Sequence, residues 1–176
     1  MIQIILISIA AIVGLVILLG LLMEKEYSIS SQINISKPKD VVFNYVIHIQ
    51  NQDKYSKWVM ADPNVQIVTS GTDGTVGFKS AWKSEIKNVG EGEQEIIAIH
   101  DGAGYDAELR FEKPFKGISY AFIKTEALSP NETSFTTTFK TKTPFPMNIM
   151  VPMIKKMLQK DMDENSANLK RVLEEA

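Results

Sequence analysis

The opening run MIQIILISIAAIVGLVILLGLLM carries no ionisable side chain and only Gln3 and Ser8 as polar interruptions. Nothing this apolar can form the surface of a water-soluble fold, so it has to be assigned before the rest of the chain is read. An α-helix rises 1.5 Å per residue, so about 20 such residues cross a hydrocarbon core roughly 30 Å thick. A secretory signal peptide is the main rival. It would show a basic start, a shorter apolar stretch and a small-x-small cleavage site, and LGLLMEKEY offers none of that chemistry. The run is therefore read as an uncleaved single-pass membrane anchor, with residues 2–22 in the bilayer, 1–23 as the anchor and 24–176 as one further domain. Lys25, Lys37 and Lys39 follow the span and no basic side chain precedes it, which favours a cytoplasmic C-terminal domain. Glu24 and Glu26 surround Lys25, and so short an anchor can take either orientation.

Composition closes off several function classes. A formal charge of -2, with scattered lysines and no basic block, gives no reason to expect a nucleic-acid partner. The absence of cysteine excludes disulfides, thiolate metal sites and cysteine nucleophiles.

From Tyr27 the pattern alternates. YSISSQINIS places Tyr27, Ile29, Ser31, Ile33 and Ile35 on one face of a half-buried strand. Ser36 and Pro38 then signal the start of a short amphipathic helix through Val41, Val42, Tyr45, Val46 and Ile49. A broken stretch, NQDKYSKWVMADPN, reads as a further short helix and a loop. Strand-like segments separated by GTDG, HDGAG and SPNE follow, which argues for an antiparallel meander with one face on a core. In the final segment Ile154, Met157, Leu158, Leu169 and Val172 share a helical stripe, with Asp161 and Asn165 near its centre. The stretch PFPMNIMVPMIKKM is too short and too basic for a second span, and reads as a mobile entrance segment. It places Met147, Met150, Ile154 and Met157 toward the sheet, where methionine suits a changeable ligand surface.

The chemistry-bearing motifs are few. His48 and His100 are the only histidines, and His100 and Asp101 are strand neighbours that point to opposite faces. No metal-ligand spacing is present, and DMDENS lacks the glycine and glutamate of a calcium loop. GTDGTVG and VGEGEQE match neither a dinucleotide nor a phosphate loop, so no cofactor is expected. Glu91, Glu93 and Glu95 read as one solvated strand face. The inward-pointing Asp161 and Asn165 read first as local hydrogen-bonding groups, and second as a polar anchor for a ligand.

The segments KPKDVVFNYVIHIQNQDKYSKWVMADP, GTVGFKSAWKS, VGEGEQEI, YDAELRFEKPFKG and ENSANLKRVLEE resemble the SRPBCC superfamily over nearly all of residues 27–175. These are the START-like helix-grip proteins, and the match is to the polyketide cyclase/dehydrase and lipid transport branch. The resemblance implies an α+β helix-grip fold, in which a curved antiparallel sheet wraps around a long C-terminal helix. It also implies a hydrophobic or amphipathic small molecule, lipid-like, as partner in the cavity between them. Where that branch carries tryptophan after the first helix, this chain has Asp53 or Lys54, with Tyr55 and Trp58 nearby, and no catalytic residue carries over. Face assignment nominates Phe78, Trp82, Tyr105, Leu109, Tyr120, Phe122, Phe135, Met150, Ile154, Met157 and Asp161 as cavity lining. Two other readings stand beside ligand binding. One is a cyclase/dehydratase-like enzyme using Asp161 or a tyrosine as acid–base group. The other is a stress-linked interaction module with a filled core and an exposed apolar patch.

Overall fold

A computed structural model describes residues 1–175. The chain begins with a helix α1 (Ile2–Leu22), which is long and apolar enough to cross a membrane. It is exposed along almost its whole length, Gly20 being its one buried residue. Residues 23–25 lead straight into β1 (Glu26–Ile35).

Next come α2 (Lys39–Val46), a 3-10 turn (Ile49–Lys54) and the one-turn α3 (Lys57–Met60). The meander follows as β2 (Gln66–Ser70), β3 (Lys79–Lys83), β4 (Glu91–His100), β5 (Gly104–Lys113), β6 (Gly117–Ser129) and β7 (Glu132–Lys142). A second 3-10 turn (Met147–Met150) feeds the long α4 (Val151–Glu175). The seven strands form one antiparallel sheet in the order β1-β7-β6-β5-β4-β3-β2. Consecutive strands from β2 to β7 are neighbours, as short turns require, and β1 closes onto β7 at the far edge.

Register decides which side chains point inward. Tyr27, Ile29, Ser31, Ile33 and Ile35 of β1 stand opposite Thr141, Phe139, Thr137, Phe135 and Thr133 of β7. Those β7 residues face Ala121, Ile123, Thr125 and Ala127 of β6, and the row continues through Leu109, Ala107 and Tyr105 to Gln94 and Ile96. This concave face carries three apolar clusters. Ile35, Val42, Val46, Tyr55, Phe135, Leu169 and Leu173 pack at the C-terminal end of α4. Ile47, Ile49, Phe78, Ile96, Tyr105 and Ala107 pack under the 3-10 turn. Tyr27, Ile29, Val151 and Met162 join Trp58, Phe139, Ile154 and Leu158 at the N-terminal half of α4. Each fully buried aliphatic side chain contributes about 1.5–3 kcal/mol relative to exposure.

Two local expectations change, at the start of α2 and on the buried stripe of α4. Helix α2 starts at Lys39 after Pro38, and Ser36 does not cap it; the Ser36 N–H donates instead to the Glu174 carboxylate (2.6 Å). Pro152 lies in the first turn of α4, where its missing N–H costs nothing. The buried stripe of α4 runs through Val151, Met162, Ser166, Leu169 and Leu173, so Met157 stands outside it. The small Ser166 lets the helix come close to β1, and its hydroxyl meets that of Ser31 at 3.0 Å.

Candidate ligand-binding site

Helix α4 packs over β1 and β7 and leaves the concave side of β3 to β6 to shorter elements. Gln159 Nε2 donates to the Ser30 carbonyl (3.0 Å) and Lys155 reaches Glu24 (3.2 Å), which fixes one flank of the helix at the β1 edge. The other flank faces α3. Lys57 Nζ binds Asp161 (2.8 Å) and Glu164 (2.6 Å), while the Lys57 backbone N–H donates to Asn165 Oδ1 (2.6 Å). The hydrogen bonds that Lys57 donates to Asp161 and Glu164 raise its pKa and keep the ammonium charged. Asp161 and Asn165 therefore hold α3 in place, the local role that buried polar groups usually have.

Between α3, α4 and the sheet, part of the concave face keeps partial exposure to water, and this strip is the candidate groove. Its floor is made of inward-facing side chains that keep partial solvent exposure: Trp82, Leu109, Phe111, Ala121, Phe139 and Thr141. Several neighbours on the floor are small, including Gly92, Ser80 and Ser119. A Cβ on Gly92 would come within 2.7 Å of the Trp82 ring, so glycine is what lets the indole lie across the strand. Trp82 donates Nε1–H to the Val89 carbonyl (3.1 Å) and meets Phe111 edge-on with ring centroids 5.7 Å apart. At the inner end Gln94 Nε2 donates to Gln52 Oε1 (2.9 Å) beside the buried Tyr105, whose hydroxyl pKa burial pushes well up.

The nominated residues separate into four groups. Trp82, Leu109, Ile154 and Asp161 are half-buried around the groove. Phe78, Tyr105 and Phe135 are packed into the clusters behind it. Met150, in the 3-10 turn before α4, and Met157 are exposed, Met157 at 56%, and helical geometry sets Met157 on the flank of α4 that bears α3, four residues before Asp161. Tyr120 and Phe122 stand on the convex face, because their neighbours Ser119, Ala121 and Ile123 point inward. They are separated by the sheet from the other nine. Gln52, Gln94, Phe111, Phe139 and Trp58 were not nominated. The alternation that selected Tyr105 and Leu109 also contains Phe111, whereas the Gln52–Gln94 pair joins distant segments and leaves no local signal.

The convex face holds an ion network. Arg110 binds Glu93 and Glu95 (both 2.6 Å) and Glu108 (2.5 Å), with Lys79 at 3.4 Å from Glu95. The expected solvated glutamate row is thus an anchored one. A hollow of about 390 Å³ lies beside it over Val68, Ala81 and Arg110. His100 Nε2 lies 3.0 Å from Asp106 Oδ1 across the β4–β5 hairpin, and this exposed pair is remote from the groove. Among the described residues no cluster of histidine, aspartate and glutamate could hold a metal ion.

No protein-family model matches the chain, and no curated protein matches it either. Solved structures do match. One is the Zhui aromatase/cyclase from a Streptomyces species, 10% identical, TM-score 0.65, over 85% of this chain and 94% of that one. Another is norcoclaurine synthase from Thalictrum flavum in complex with dopamine and hydroxybenzaldehyde, 11% identical, TM-score 0.63, over 85% and 87%. A third is a protein from Arthrobacter aurescens, 18% identical, TM-score 0.61, over 85% and 87%. The fold is a helix grip. At these identities the likeness establishes architecture, and function has to be argued from the groove.

Proposed function

We propose that the chain is a membrane-anchored receptor for an apolar or amphipathic small molecule, which binds in the groove between α3, α4 and the sheet. The observation that carries this reading is the strip of inward-facing but water-accessible side chains, Trp82, Leu109, Phe111 and Ala121, on strands that α4 barely touches. An apolar molecule of matching width would remove that strip from water, with Gln52 and Gln94 available to one polar group. The norcoclaurine synthase complex gives an analogy for an aromatic guest in this fold. The same reading takes α1 as the anchor, residues 1–23 and 24–176 as the two parts of the chain, and the cytoplasm as the side on which the domain lies.

Native mass spectrometry of the detergent-purified full chain tests it. The expected result is a co-purifying small molecule, retained by the native chain and lost in Leu109→Lys, which sets a charge on the half-exposed groove floor. A native chain that carries no guest, and whose thermal unfolding shifts with no fatty acid, sterol or aromatic added, would sink the reading.

A further inference from the structure

The two ends of the sheet differ in what their connectors expose. At one end β1 starts with Glu26 opposite Lys142 of β7, β6 starts with Gly117 opposite Phe111, and Glu91 of β4 faces both Lys83 and Lys113. Connectors 84–90, 114–116 and 143–150 therefore all leave from the end at which α1 enters. They expose Ile86, Phe115 (62%), Phe145 and Met150, with Ile118 beside them at the start of β6. The opposite end is closed by the short polar turns 36–38, 71–75, 101–103 and 130–131. Large apolar side chains exposed near it, such as Val76 and Leu128, are isolated. Single exposed apolar residues are ordinary on a soluble surface, but several gathered on one set of loop tips mark a covered surface.

What covers it follows from α1. Asn148, fully buried in connector 143–150, donates Nδ2–H to the carbonyls of Gly20 (2.7 Å) and Met23 (3.2 Å). The Phe145 ring lies so close to Gly20 that a Cβ there would approach it to 2.6 Å. The C-terminal end of α1 is thus clamped to the apolar loops, and a helix that is apolar all round belongs in lipid. Charge agrees. Glu24, Glu26, Glu91 and Glu112 at this end are each engaged by a lysine, and beside the one unengaged carboxylate of these connectors, Glu85, stand three lysines, Lys25, Lys83 and Lys87, with no carboxylate within ion-pair distance among the described residues. Ser84, Lys87, Asn88 and Lys113 line a hollow of about 480 Å³ above Phe115. The outermost rungs of the candidate groove, Trp82, Gly92, Phe111 and Gly117, lie at the same end.

We infer that this end of the domain is a second membrane-contact surface. Ile86, Phe115 and Phe145 enter the interfacial layer of the bilayer that α1 spans, and Lys25, Lys83 and Lys87 face anionic lipid headgroups. The inference rests on the reading of α1 as an anchor and adds to it a fixed pose, with the groove mouth against the lipid. Apolar loop tips with flanking lysines are the side chains that such contacts use, the apolar ones for insertion and the basic ones for headgroup attraction.

Because the chain has no cysteine, one introduced thiol is a unique label. Ile12→Cys, Ile86→Cys, Phe115→Cys and Asn131→Cys, each in the full chain and carrying an environment-sensitive fluorophore, are reconstituted into phosphatidylcholine vesicles with and without phosphatidylglycerol. Nitroxide lipids report depth. The inference predicts deep quenching at position 12, a blue shift and shallow quenching at 86 and 115, and neither at 131, with the effect at 86 and 115 stronger when phosphatidylglycerol is present. Quenching at 12 with 86 and 115 behaving like 131 overturns the contact surface and leaves the anchor standing. No quenching at 12 overturns the anchor, and the contact surface with it. Equal signals at 86 and 115 in both vesicle types overturn the role given to the lysines.

Discussion

Replacing Asn148 by alanine isolates the joint between α1 and the rest of the chain. The last carbonyls of any helix lack partners within the helix, and here a buried amide supplies donors to two carbonyls at that end. Two neutral hydrogen bonds contribute about 1 kcal/mol each. Asn148 Oδ1 has no partner, so truncation also removes an unsatisfied acceptor and returns part of that cost. The void left by the amide acts in the opposite direction. A net loss of about 2 kcal/mol corresponds to a roughly 30-fold larger local opening constant. Hydrogen exchange followed by mass spectrometry on the full chain in nanodiscs reads this directly. Amides in 143–150 should exchange faster by about that factor, while those of β4 to β7 should keep their protection. Asn148→Asp, which sets a carboxylate against two carbonyl oxygens, should open the joint further. Unchanged exchange in Asn148→Ala, or an acceleration spread evenly through the sheet, would refute the clamp and make Asn148 an ordinary packing residue.

Two further outcomes follow from the core and the convex face. Leu169→Ala, at a fully buried position of α4, should cost about 2–5 kcal/mol in urea unfolding, and a loss below 1 kcal/mol would contradict the packing described. Lys113, Arg110 and the Ser36 N–H hold Glu91, Glu95 and Glu174 respectively below the ordinary glutamate pKa of 4.5. Carboxyls with lowered folded-state values stabilise fully above 4.5 and lose that contribution as pH falls through the lowered values. The unfolding temperature should be level near neutrality and fall in acid, with a shallower fall in Arg110→Met; identical acid profiles would remove Arg110 from the explanation.

Most of the architecture was legible because burial writes a period into the chain. The alternations in β1 and β5 picked the correct faces, since in each strand one row is plainly more apolar than the other. Strand β6 misled for a physical reason. Its Ile118, Tyr120 and Phe122 row is bulkier than the Ser119, Ala121 and Ile123 row, yet the smaller row faces in, where register sets Ala121 against Phe139 and Ser119 beside Thr141. Bulk is a guide to burial only where the interior has room for it. On α4 the sequence pattern runs its stripe through Met157 where the fold buries Met162, and that rotation puts Asp161 and Asn165 near the centre of the stripe. Their true partner, Lys57, lies on a one-turn helix more than a hundred positions earlier, beyond any local pattern. The same holds for His100, whose carboxylate is Asp106 across a hairpin and not its neighbour Asp101.

The link between α1 and β1 is only residues 23–25, and a chain that short reaches at most about 10 Å even when extended. On the proposed reading of α1 as an anchor, the domain has no tether on which to swing. It could not carry a guest across the gap between two facing membranes, as a long-leashed carrier can. Traffic through the groove would run between the protein's own bilayer and whatever docks beside it, so the acceptor would have to come to the membrane.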